Sequence, residues 1–145
     1  MDAELIHAIK RAEGFHGHLG PFLVIGVRMG LIGIRELEVK ENNDKLRITA
    51  MLRHSVPFSC IIDGIQVTTK CTIGNQKLKL IDSAGIAAEF GLQQREKVIV
   101  TVNPTAFNRL KSKLLSENVS QEETEKLAHM IASMPEEELF TIENK

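Results

Sequence analysis

Leu19-Gly20-Pro21-Phe22-Leu23-Val24-Ile25-Gly26-Val27-Arg28-Met29-Gly30-Leu31-Ile32-Gly33-Ile34 is the stretch that decides how this chain is built. It is shorter than the ~20 residues a bilayer span needs, and Arg28 sits in its middle. Its apolar side chains cover nearly every face of a helix, the pattern of a segment buried all round. Pro21 suits the first helical position, where its missing N–H is not needed. Gly26, Gly30 and Gly33 each cost about 1 kcal/mol of helix propensity against Ala. Such a helix is expected to lie close against another backbone, within the fold or across a dimer interface. Because it needs more cover than one small domain readily supplies, a homodimer is expected. Arg28 needs an acidic or carbonyl partner if buried. Asp63 and Glu89 are the candidates inside the fold; lining a cleft as an anion contact, or snorkelling to solvent, are the alternatives.

Around this central helix the rest of the chain reads as one α+β domain over residues 1–145. Ala3 to Glu13 predicts a short amphipathic helix with Leu5, Ile6, Ile9 and Ala12 on one side. Leu46, Ile48, Ala50 and Leu52 alternate with Arg47, Thr49, Met51 and Arg53, the period of a half-buried strand. Lys77 to Asp82 and the β-branched Lys97 to Val102 are two further strands, and Leu139 to Ile142 adds an edge strand. Asn103-Pro104 opens a helix buried through Phe107, Leu110 and Leu114. Ser120 with Glu123 forms a capping-box pattern for a last helix that Pro135 stops. The expected architecture is a mixed sheet of about four to six strands packed with the buried central helix and the C-terminal helices.

A net charge of −1, no basic tract, no Trp and no Tyr argue against a nucleic-acid partner, which would need cationic and stacking surfaces. Two cysteines do not make a disulfide framework. With an acidic start in place of a basic export flank, they point to a reducing, cytoplasmic setting and no membrane association.

Two segments carry chemistry. Gly14-Phe15-His16-Gly17-His18-Leu19-Gly20 sets two imidazoles two residues apart. Imidazole is the commonest protein metal ligand, but residues i and i+2 do not face each other on a helix. If both rings address one object the segment must be a turn or extended loop, which its glycines permit; the bland alternative is a glycine turn with two exposed histidines. The second segment is Pro57-Phe58-Ser59-Cys60-Ile61-Ile62-Asp63. If Pro57 opens a helix, Cys60 lies in its first turn, where the helix dipole favours a thiolate, and Asp63 shares its side. Free cysteine is also among the most buried residue types and often only packs. A helix continued to Cys71 would set the two sulfurs ~16 Å apart, so Cys60 ranks above Cys71 as a ligand. Thr68, Thr69 and Thr72 read as helix-end and turn hydroxyls, with ligand contact as the alternative.

His16-Gly17-His18-Leu19-Gly20-Pro21, followed by Cys60, Asp63-Gly64-Ile65-Gln66, Thr69, Cys71-Thr72 and Gly74-Asn75, resembles the FmdE family of formylmethanofuran dehydrogenase proteins over roughly Leu5 to Val102. The resemblance implies an α+β core, a tendency to dimerise, and a cluster of His and Cys residues in a metal-binding or active site. On that pattern fall His16, His18, Cys60, Asp63, Gln66, Cys71 and Asn75. Many relatives have a cysteine where this chain has Gly20, and commonly a glycine where it has Lys70. Some carry a C-terminal zinc finger, for which no cysteine pair occurs after Cys71.

Together these readings predict one divalent transition ion held by His18 and Cys60 with His16. Zinc is expected first, with nickel, cobalt or iron possible. Cys60 and Asp63 are the candidate catalytic groups, Asp63 either orienting a histidine or acting as general base. Gln66, Thr72 and Asn75 are the candidate cofactor contacts. A non-catalytic accessory protein or metal carrier, and metal-free thiol chemistry by Cys60 with a histidine base, are the rival readings. A larger enzyme complex and an unidentified small-molecule substrate complete the expected partners.

Overall fold

Alternation in Leu46–Met51 (β1) and the β-branched run Lys97–Val102 (β4) produce two strands, each with one face buried. The computed structural model describes residues 2–93, 96–114 and 119–145. Its order is α1 (Ala3–His16), α2 (Pro21–Leu37), β1, α3 (Cys60–Thr69), β2 (Leu78–Ile81), β3 (Ala87–Leu92), β4, α4 (Pro104–Leu114), α5 (Gln121–Ser133), α6 (Glu136–Leu139) and β5 (Phe140–Asn144). The five strands form one sheet ordered β2-β1-β3-β4-β5. β1 and β2 run parallel and the other pairs antiparallel, so the sheet is mixed and the fold α+β. No helix among the described residues is long and apolar enough to cross a membrane.

β3 goes beyond the strands that the sequence predicts. Its Ala87-Ala88-Glu89-Phe90-Gly91-Leu92 contains no β-branched residue, and small residues give little strand preference. Tertiary context overrides that, because β3 lies between β1 and β4 and drives Phe90 into the core. The short α6 after Pro135 is likewise additional to the expected elements.

α2 is the buried helix the sequence implies, opened by Pro21 and capped by Glu38 in a left-handed conformation. Its glycines are used inside the chain. A Cβ on Gly26 would stand 2.1 Å from the Ile61 carbonyl oxygen of α3, and one on Gly64 of α3 would stand 2.5 Å from the Leu23 carbonyl. The two helices therefore meet backbone to backbone, glycine answering glycine. Gly33 gives way to the Phe90 ring, 2.3 Å from where its Cβ would be. With α3, α5, α1 and the β3–β4 surface against it, α2 is covered within one chain. The reason given for a dimer, that α2 lacks cover, is thereby removed.

Arg28 reaches neither Asp63 nor Glu89. Its Nη1 donates to the Ile131 and Met134 carbonyls at 2.7 and 2.6 Å, and its guanidinium lies 5.6 Å from the centroid of the Phe140 ring. Carbonyls ending α5 are the negative pole of that helix. The cation thus ties α2 to the end of α5.

Candidate functional site

Three elements build the site. α1 runs to His16, three residues beyond the expected end at Glu13 and through Gly14, so only Gly17 turns the chain. Gly17 takes φ 103°, where a side chain would be strained, and donates its N–H to the Glu13 carbonyl at 2.8 Å. That single left-handed residue sits between the histidines and solves the spacing problem. His16 closes a helix, His18 follows the turn, and their rings stack at 4.5 Å with a 41° tilt. Gly20 then caps α2 in an extended conformation. The third element is α3, which begins at Cys60. Residues 56–59 form turns, with a cis bond before Pro57, so Pro57 precedes the helix by three residues instead of opening it.

These segments enclose a cavity of about 280 Å³ whose lining includes His16, His18 and Cys60. Phe22, Leu23, Pro57, Leu114 and Val119 form the apolar walls. Phe22 is braced from behind by Phe58 and Phe107, each packed edge-to-face on the others at 5.3–6.3 Å. The contribution of Leu114, Val119 and Thr124 to the site has no counterpart among the sequence-based expectations, because the C-terminal half offers helix caps and apolar stripes but no His or Cys motif that points to a site. Gln121 secures that side by donating to the Leu19 carbonyl at 3.2 Å.

His16 is the most constrained group in the site. Its Nδ1 lies 2.5 Å from Asp63 Oδ2, while the ring is only 12% exposed. A carboxylate can only accept, so in the neutral imidazole Nδ1 carries the proton and Nε2 keeps a lone pair. That Nε2 is buried and has no hydrogen-bond partner among the described residues. A buried polar atom in this condition requires a ligand, an ion or a water to satisfy it. Asp63 in turn accepts from Gln66 Nε2 at 3.4 Å, and Gln66 Oε1 accepts from the Ile73 N–H at 2.9 Å. A chain of polar contacts thus runs from the turn after α3 to the imidazole.

Burial pushes the Cys60 thiol above the usual range, and the Asp63 charge pushes it further the same way. Hydrogen bonding from the helix backbone pulls back but does not win. The expectation of a thiolate stabilised by the helix start is therefore corrected: without a cation, Cys60 stays a thiol. Among the described residues no hydrogen bond joins a histidine nitrogen to its sulfur, nor do three or more His, Cys, Asp or Glu side chains converge as a ready-made metal site.

The remaining candidates lie elsewhere. Cys71 is fully buried beyond the other end of α3, its thiol directed at the Leu46 carbonyl at 3.5 Å, and both cysteines are free. Thr72 and Asn75 bond each other: Asn75 Oδ1 accepts from the Thr72 N–H and Thr72 Oγ1 from the Asn75 N–H, both at 2.9 Å. Neither lines the cavity. Gln66 also stands off the cavity and holds Asp63. Thr68 and Thr69 spend their hydroxyls on carbonyls one turn back, as expected of helix-end hydroxyls.

The sequence model of FmdE, described as molybdenum formylmethanofuran dehydrogenase operon, matches residues 15–141. The chain belongs to the FmdE family. An FmdE-like protein of tungsten formylmethanofuran dehydrogenase type, from Syntrophus aciditrophicus, shares the fold with a TM-score of 0.61 at 19% identity, over 97% of this chain and 71% of that one. A probable S-adenosyl-L-methionine-binding protein of Archaeoglobus fulgidus is 38% identical over 80 residues. Those residues are 55% of this FmdE chain but 22% of that protein, so the likeness reaches a small part of it.

Proposed function

We propose that this FmdE chain binds one divalent transition ion in the cleft, through His16 Nε2 with His18 and Cys60, and that Asp63 orients His16 from behind. The observation that carries the reading is the imidazole of His16, held at Nδ1 by a carboxylate and left with a buried, unpartnered Nε2 among the described residues. A carboxylate behind a histidine is the usual support of a metal-bound imidazole. Two nitrogens and a sulfur suit zinc first, with nickel, cobalt or iron compatible. His18 is the exposed member of the three donors, so closing the site falls to its side chain. When bound, the ion would supply a Lewis acid and the positive charge that Cys60 needs to ionise. The ion-free alternative, a thiol nucleophile, is disfavoured because burial keeps Cys60 neutral and no described histidine nitrogen is bonded to it.

One feature of the cleft supports a second reading, in which the site holds or delivers an ion without turnover. Asp63 is committed to His16 from outside the cavity, and no carboxylate occurs among the described lining residues to act as general base. Under either reading the family points to work beside a formylmethanofuran-type one-carbon enzyme. A homodimer fits that setting, with Phe15 and Val56 as apolar side chains for it to cover. They are 63% and 80% exposed, and each neighbours a cleft residue in sequence.

The test is elemental analysis of protein made without a His-tag, followed by reconstitution with cobalt(II). One equivalent of metal per chain, with a near-ultraviolet thiolate-to-cobalt band, is the expected result. Protein that stays folded yet takes up no equivalent from zinc, cobalt, nickel or iron would sink the proposal.

A further inference from the structure

The described lining of the cavity is of two kinds: the nitrogen and sulfur donors of His16, His18 and Cys60, and the hydrocarbon side chains of Phe22, Leu23, Pro57, Leu114 and Val119. The one hydroxyl among the described lining residues is already used, since Thr124 Oγ1 donates to the Ser120 carbonyl at 3.0 Å. The Thr124 methyl faces Gly20, 3.4 Å from where a Cβ would stand. Among the described lining residues there is no Lys, Arg, Asp, Glu, Asn or Gln. Among these described residues a phosphate or second carboxylate would find no Lys or Arg and no side-chain amide to replace the water it loses. At about 280 Å³ the space lies at the small end of ligand cavities.

We propose that the cleft's ligand is a small molecule with one donor group and an apolar body. The donor, neutral or singly negative, meets the ion at the His16–Cys60 side, and the body lies against Phe22, Leu114 and Val119. This rests on the reading of the cleft as an ion site. It adds a selection rule that the donor set alone does not supply: the ion takes the head group, and the walls choose the tail by removing apolar area from water. The described walls disfavour polyanionic molecules.

The probes are straight-chain carboxylates from butyrate to octanoate, titrated into the cobalt(II)-loaded protein and read from its visible absorption. Each added methylene should tighten binding about threefold to fourfold until the cavity is full. Adipate, which has the head and chain length of hexanoate but a second charge at the tail, should bind at least tenfold more weakly. Val119→Asp should erase the chain-length dependence and leave cobalt uptake intact. Leu114→Asn serves the same purpose if the first variant fails to fold. Equal affinity along the series, or adipate binding as tightly as hexanoate, overturns the proposal. If the protein takes up no cobalt the ion reading fails separately. Hexanol is then titrated into the metal-free protein and the methyl resonances of Leu114 and Val119 are followed. Shifts there uphold the apolar body site; their absence overturns it.

Discussion

At its first turn α3 presents Cys60 to a cleft and sets Asp63 behind it against His16; past its last turn, about 15 Å along the axis, Thr72 and Asn75 bond each other beside Cys71. The two ends carry similar residues, a cysteine with polar neighbours, and the FmdE-like motif includes both. Their hydrogen-bond accounts differ. Beyond the C-terminal end, Asn75 Nδ2 donates to the Lys70 carbonyl, Asn75 Oδ1 accepts from the Thr72 and Lys77 N–H groups, and Thr69 Oγ1 accepts from the Cys71 N–H. At the N-terminal end His16 Nε2 has no partner among the described residues and Cys60 is kept neutral by burial. A polar cluster whose bonds close internally shapes the chain. One with a buried atom left over is ready for something else.

The largest expected effect separates the two ends directly. Cys60→Ser and His16→Ala should each abolish stoichiometric metal uptake, measured by elemental analysis, and His18→Ala should do the same. All three should still fold, because Ile61 and Ile65 remain fully buried without the ion. Cys71→Ser, at the other end, should keep most of its equivalent. If Cys60→Ser retains a full equivalent, the sulfur only packs and the contrast between the ends collapses.

Next in size is the support behind His16. Asp63→Asn preserves shape but replaces the accepting carboxylate with an amide that can turn either its oxygen or its NH₂ to Nδ1. Loss of such an outer partner commonly costs about 10–100-fold in metal affinity, and competition with a chelating dye would measure it. An affinity unchanged in Asp63→Asn would mean that Nε2 is not the donor.

Acidity sharpens the comparison further. Burial raises both thiols, at Cys60 with help from Asp63. Only Cys60 should couple to the ion, by losing a proton when metal binds. Affinity should therefore climb with pH, by about tenfold per unit while Cys60 is protonated in the metal-free protein, provided the histidines are already neutral. The metal-free fold behaves oppositely. A thiol with a raised folded pKa costs no stability below the ordinary thiol value of about 8.5 and destabilises the fold as pH rises through and above it. Denaturant titrations from about pH 7 to 10 should show that decline, and Cys71→Ser should reduce it. Metal affinity that is flat from about pH 6 to 8 would remove Cys60 from the site.

How much of this is legible in the sequence depends on the kind of signal. Pro21 and the all-round apolar run of α2 announce a buried helix, since periodicity and caps are local properties. So are the Ser120 cap, which accepts from the Glu123 N–H at 3.1 Å, and the alternation of β1. β3 is hidden because its residues are strand-neutral and only its neighbours make it a strand. Arg28 advertises its need for a partner but not the partner, because backbone carbonyls carry no sequence signature. Within the site, His16, His18 and Cys60 can be named and the cavity gathers them. Thr72 and Asn75 are grouped with them by motif spacing, which does not distinguish a residue that lines a cleft from one that folds the turn behind it.

That turn supplies a stability contrast. Asn75→Ala removes three hydrogen bonds at 2.7–3.0 Å on an exposed loop. The expected cost is about 1–2 kcal/mol, because such bonds exchange with water. Thermal melts would register it, while metal stoichiometry should stay at its wild-type value. A loss of metal would show that the Gln66 link from Ile73 to Asp63 transmits more than position.

The smallest effect lies one residue from Cys71. Lys70 ends α3 at φ 65°, its N–H donating to the Gln66 carbonyl at 2.9 Å. A left-handed helix end is the place glycine fills most readily, and a residue with a Cβ there carries a cost of roughly 1 kcal/mol. Lys70→Gly should relieve that strain, offset in part by the greater freedom glycine has in the unfolded chain. The exposed ammonium has no ion pair among the described residues, so little else is lost with it. A net gain of about 0.5 kcal/mol is expected, visible as a rise of a degree or two in the melting temperature. Metal binding should not change, since the substitution lies at the end of α3 where every polar account already closes. A destabilised Lys70→Gly protein would mean that the lysine stem packs on the turn and contributes more than its backbone strain costs.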